Sequence, residues 1–180
     1  MLQPLLRLLR LLQRIEAVVV SGGILGIAAL SAANVVCRTA FGFSLAWAQE
    51  LSQFLMIAVT FVGLSYAASQ GRHIRMTAIY DQLSPRAQKA TMVGISATTS
   101  ALLAVLAVYG VSYAATVHTL GTVSPALRVP LWVVYAVAPL GLGLGAVQYA
   151  LVVARNLVDD GVWIGPDVLD EYEDAVQPGI

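Results

Sequence analysis

Few residues in this chain have side chains able to move a proton, hold an ion or attack a substrate, and their spacing limits them further. One acid, Glu50, stands inside the apolar stretch "LAWAQELSQFL" with Gln49 and Gln53 beside it. His73 lies in "QGRHIRMTAIYD", between Arg72 and Arg75 and ahead of Asp81, while His118 and Cys37 stand apart from both. A lone cysteine can form neither an intramolecular disulfide nor a dithiol redox pair nor a cysteine zinc site. Two histidines are too few to ligate two haems pairwise, and both fall at the ends of apolar runs. No nucleophile elbow, P-loop, dinucleotide fingerprint or HExxH helix occurs. Catalytic, metal and cofactor sites are therefore not expected, and the chain reads as a non-enzyme.

Glu50 supports three readings. A helix-start acid can snorkel to the interface, favoured by the positive end of the helix dipole, with Trp47 at headgroup level. It can instead make a structural or partner contact. Proton or ion coupling would need a second acid or base within the spans, and none is expected to accompany it. For His73 the choice lies between a catalytic group, a structural contact and a mere exit from the membrane. Arg128, in the proline-bracketed loop "SPALRVP", can meet an anionic substrate, a partner or lipid headgroups.

The elements that must position these residues are helical. Of 180 residues, 58% are hydrophobic and 11% charged, against about 25% charged in an average soluble domain. Four apolar runs, near residues 15–37, 46–68, 91–117 and 129–154, are long enough for about 30 Å of hydrocarbon. The fold class expected is an all-α integral membrane protein with four transmembrane helices. Before them, "MLQPLLRLLRLLQRIE" spaces Arg7, Arg10 and Arg14 along one face, so residues 1–14 read as an amphipathic helix that lies in the interface or continues into the first span. The run that follows is too long for the core of a cleaved signal peptide. Residues 15–155 form the transmembrane domain, and residues 156–180 an acidic tail with a short helix after Pro166. Pro139, inside the fourth run, predicts a kink.

Small residues add a packing pattern. Gly22, Gly26, Ala29 and Ala33 share one face of the first span, and Gly141 and Gly145 one face of the fourth. Gln49, Gln53, Met56, Thr60, Gly63 and Ala67 form a polar and small stripe along the second. Such ridges predict a compact bundle or a partner interface. Eight of the ten Lys and Arg residues fall on one side of the membrane and only Arg38 and Arg128 on the other, which predicts both termini in the cytoplasm.

The order of these features resembles a known family. An acid in "WAQELSQFL" opens the second span, "GLSYAASQGRHIRM" closes it, Asp81 and "LSP" follow, and "SPALRVPLWVVYAVAPLGLGL" leads through the fourth. Over about residues 15–153 this is similar to the small membrane subunit of tripartite ATP-independent periplasmic (TRAP) transporters, the DctQ-like proteins; Gln49 stands where that family often has a second acid. The resemblance implies a scaffold for a large membrane subunit that carries the sodium coupling, in an inner-membrane system where a periplasmic substrate-binding protein delivers an organic acid. It also implies that Glu50, Gln53, Arg72, His73, Asp81, Arg128, Pro130 and Pro139 serve structural or partner contacts. The alternative is a self-contained homo-oligomeric channel lined by Glu50, Gln49, Gln53 and Thr60.

Overall fold

A computed structural model describes the backbone of residues 2–70, 85–158, 163–165 and 168–169, and side chains within residues 11–70 and 87–158. Helix α1 spans Leu2–Phe41, α2 Ala46–Ser69, α3 Pro85–Leu120 and α4 Leu131–Val158. All four are long and apolar enough to cross a membrane. Helix α1 is one unbroken element of 40 residues, about 60 Å long at 1.5 Å per residue, so the arginine-rich start and the first span share one axis.

Local chemistry sets the ends. Gly42 follows α1 with φ 73° and Gly121 follows α3 with φ 62°, left-handed positions that glycine occupies without a Cβ penalty. The Gly121 N–H closes α3 onto the His118 carbonyl at 3.1 Å. Pro85 opens α3 at a position where a helix needs no N–H. The side chain of Leu45 cannot cap α2; its own N–H instead donates to Asn34 Oδ1 of α1 at 2.8 Å, which pins the α1–α2 connection.

The helices pack in the order α1, α2, α4, α3. The main contacts thus follow a row, and of the two outcomes expected from the small-residue ridges, a compact bundle or a partner interface, the ridges do serve helix packing within the chain. Helices α1 and α2 run antiparallel in close register: a Cβ on Gly23 would strike the Val59 side chain, one on Gly26 would lie 3.2 Å from Leu55 and one on Gly63 3.6 Å from Val20. Gly22 meets nothing within 4 Å, so the contact face is turned by one residue from the ridge expected. Helices α2 and α4 run parallel, and Gly141 rests on the Phe61 backbone carbonyl; any side chain there would collide with it.

Helices α3 and α4 pair antiparallel through T-shaped His118–Trp132 and Tyr113–Tyr135 contacts and a Ser100 Oγ–Ala146 carbonyl hydrogen bond of 2.9 Å. Gly110 faces the Pro139 ring, where an added Cβ would come within 3.1 Å of it. Helix α4 continues through Pro139 without interruption; the ring removes one backbone donor and fits against a glycine that leaves room for it. The core, formed by Ala68, Leu103, Leu142, Ala146 and Tyr149, lies where α4 meets both neighbours. In the described part of the tail, β1 (Trp163–Gly165) pairs antiparallel with β2 (Val168–Leu169). Strand thus stands at Val168–Leu169, within the stretch where a short helix was expected, and the rest of that stretch lies outside the described residues.

Candidate functional site

Two polar knots tie the row together, one near each end of α2. At the first, the chain between α3 and α4 folds back as a tight hairpin. Ser124 N–H donates to the Val129 carbonyl at 2.9 Å, Leu131 N–H to the Thr122 carbonyl at 3.0 Å, and Arg128 N–H to the Ser124 carbonyl at 3.1 Å. Val123 and Pro130 form an isolated antiparallel bridge. Ser124, only 2% exposed, also accepts the Val129 N–H on its hydroxyl at 3.2 Å.

Glu50 closes this loop from α2. Its Oε1 accepts the Ala126 N–H and its Oε2 the Leu127 N–H, each at 2.8 Å. Consecutive amides turned toward one carboxylate make a small anion-holding nest, so Glu50 fastens the α3–α4 loop to the start of α2. Arg128, just beyond the nest, has φ 56°, a left-handed conformation that costs a non-glycine residue about 1–2 kcal/mol. It persists because the hydrogen bonds on both sides over-determine the backbone. Gln53, one turn further along α2, lines with Glu50, Phe54, Ser124 and Tyr135 a groove of about 250 Å³ between α2 and α4.

Of the residues singled out from sequence, Glu50, Gln53, Arg128 and Pro130 meet at this end. Pro139 lies apart, in the α3–α4 contact. Arg72, His73 and Asp81 lie outside the described residues.

The second knot corrects the expectation that no other acid accompanies Glu50 within the spans. Glu16 of α1 is 3% exposed, Ser65 of α2 fully buried and Gln148 of α4 5% exposed. Ser65 Oγ donates to Glu16 Oε1 at 2.6 Å, while Gln148 Nε2 donates to the same oxygen at 3.4 Å and to Ser65 Oγ at 3.1 Å. In sequence Glu16 stands two residues after Arg14, at the very start of the first apolar run. The continuous helix carries it inward, onto the face that crosses α2. Its position one residue inside the apolar run was the available signal.

The stripe on α2 takes a different course from the one its composition suggests. Gln49, Gln53, Met56 and Thr60 remain exposed although α2 lies between α1 and α4. Thr60 satisfies its hydroxyl locally on the Met56 carbonyl at 2.7 Å. Helix α4 buries 44% of its most apolar stretch within the chain, and α2 only 11%. A middle helix so open presents a broad face to whatever lies beside it. Among the described residues no group of three or more His, Cys, Asp or Glu could hold a metal ion.

Four helices long and apolar enough to cross a membrane, with polar knots that bind helix to helix, define a multi-pass membrane protein. Residues 27–159 match the family described as tripartite ATP-independent periplasmic transporters, DctQ component, and the chain belongs to that family. It is 38% identical over 165 residues to the ectoine TRAP transporter small permease protein TeaB of Halomonas elongata, covering 92% of this chain and 86% of that one. It is 28% identical over 117 residues to the C4-dicarboxylate TRAP transporter small permease protein DctQ of Rhodobacter capsulatus, covering 64% and 51%. The isethionate TRAP transporter permease protein DctMQ of Oleidesulfovibrio alaskensis is 26% identical over 102 residues, 57% of this chain but 16% of that much longer one.

Proposed function

We propose that this chain is the scaffold against which the large membrane subunit of a TRAP transporter is held, in an uptake system for a small organic acid. The observation that carries this reading is the exposed stripe Gln49, Gln53, Met56 and Thr60 on the middle helix of an open row. Amide side chains turned toward lipid are costly, and an adjoining helix that hydrogen-bonds them removes that cost. The DctMQ relative, in which the matched part occupies 16% of one chain, supports a large permease partner. The relatives' names, for ectoine, C4-dicarboxylate and isethionate, support a substrate bearing an acid group.

In this arrangement the large subunit carries the sodium coupling and moves, and the row of helices stays still. The Lys and Arg distribution supports both termini in the cytoplasm. The loops joined by Asn34 and Glu50 then face the periplasm, where the substrate-binding protein docks in part on residues 38–46 and 117–130.

Reconstituted uptake tests the proposal. Vesicles holding the large subunit, with the binding protein and substrate added, are expected to accumulate substrate only when this chain is present. The triple variant Gln49→Leu, Gln53→Leu, Thr60→Val is expected to insert normally yet fail to co-purify with the large subunit. Uptake at full rate without this chain overturns the proposal. Flux through vesicles containing this chain alone, lost with Glu50→Gln, replaces it with the channel reading.

A further inference from the structure

The knot of Glu16, Ser65 and Gln148 contains more acceptors than hydrogens. Ser65 has one hydroxyl hydrogen, directed at Glu16 Oε1, and the Gln148 amide nitrogen has two, directed at Glu16 Oε1 and Ser65 Oγ. Two acceptor atoms are left, Glu16 Oε2 and Gln148 Oε1, both buried and without a donor among the described residues. Turning the Gln148 amide over would exchange its nitrogen and oxygen but add no hydrogen. The hydrogen-bond partners that face Glu16 from α2 and α4, a hydroxyl and an amide, are neutral and do not titrate, so neither balances a carboxylate charge.

We propose that Glu16 holds a proton, and that the Glu16–Ser65–Gln148 knot is a proton-binding site in which a neutral carboxylic acid ties α1 to α2 and α4. One proton meets both demands of the geometry. It removes a charge that has been taken out of water without a counter-charge among the described residues, and it converts an acceptor-only group into one that also donates. A basic side chain from another subunit cannot substitute, because Glu16 Oε2 is closed off inside the chain and reaching it would require α1 to part from α2. Glu50 is the internal contrast: each of its oxygens already meets a backbone N–H, and no added proton is needed. Loss of the Glu16 proton would place a charge among neutral groups at the point where three helices meet, so occupancy of the site governs how firmly α1 is held.

The test uses the purified chain in lipid nanodiscs at neutral pH. Infrared difference spectra of wild type against Glu16→Gln are expected to show the carbonyl stretch of one neutral carboxylic acid in the wild type, lost in the variant. Glu16→Asp, which keeps the acid but shortens it, is expected to shift that band. The thermal unfolding midpoint of Glu16→Gln is expected to match wild type, because the amide supplies the missing donor in the same shape, while Glu16→Ala lowers it. Replacing sodium chloride by choline chloride is expected to leave the wild-type midpoint unchanged. Absence of the acid band in the wild type overturns the proposal, as does a Glu16→Gln variant as unstable as Glu16→Ala. A sodium-dependent rise in the midpoint that Glu16→Gln abolishes would also overturn it, assigning the site to a cation.

Discussion

Glu16 and Glu50 are both acids on membrane-crossing helices, yet their surroundings assign them different work. Glu50 accepts two backbone N–H groups from a loop 76 and 77 residues away in the chain. It acts as a fastener, and only an ionised carboxylate of this length serves both amides together. Glu50→Gln keeps one acceptor oxygen and turns an NH₂ toward the other amide, two donors facing each other. Hydrogen exchange in the 124–130 segment is therefore expected to quicken in Glu50→Gln, with the four helices still protected; unchanged exchange would show that the loop holds itself. The sequence exposed Glu50 because a charge in an apolar helix is conspicuous. It could not reveal the partners, since every residue except proline offers a backbone N–H.

At the level of elements, glycine decides where helices touch. Gly141 and Gly143 are two residues apart on α4 and differ only in what they face. Gly141 lies against the Phe61 backbone, whereas an added Cβ on Gly143 meets nothing within 4 Å. Gly141→Leu is expected to push α2 from α4 and cost on the order of 1–3 kcal/mol or more, the range for overpacking, because backbone yields less than a side-chain tip. Gly143→Ala is expected to be neutral or to stabilise by up to about 1 kcal/mol through helix propensity. Thermal unfolding of the two variants in the same lipid checks both directions, and equal effects would contradict the contact. The ridge on α1 was legible as a set of small residues, but its phase was not. Spacings of three and four fit several adjacent faces of a helix, and the crossing with α2 selects Gly23 and Gly26 over Gly22.

For the whole molecule, the order α1, α2, α4, α3 leaves the row open, and an open row of apolar helices has two faces to cover. Lipid can cover Leu25, Val108 and Tyr109, each at least 66% exposed; the polar stripe of α2 calls for protein. Orientation belongs to this scale too. In a Cys37→Ser background, Ala126→Cys in the α3–α4 loop is expected to react with a membrane-impermeant maleimide in intact cells, and Leu157→Cys at the far end of α4 only after the membrane is opened. The reverse pattern would invert the molecule and move every loop assigned to the binding protein.

Read in one dimension, the residues already establish a four-span membrane protein, a charge bias for its topology and a family resemblance, because length, apolarity and local charge act directly on a bilayer. What they leave open is which helix neighbours which, whether an acid at a span's edge turns inward, and which backbone amides a carboxylate will find. Within lipid no hydrophobic force selects between one apolar helix face and another. Helix order there rests on close backbone approach and a few hydrogen bonds between residues far apart in the chain, such as Phe61 against Gly141 and Glu16 with Ser65 and Gln148. Those pairings exist only once the helices have met.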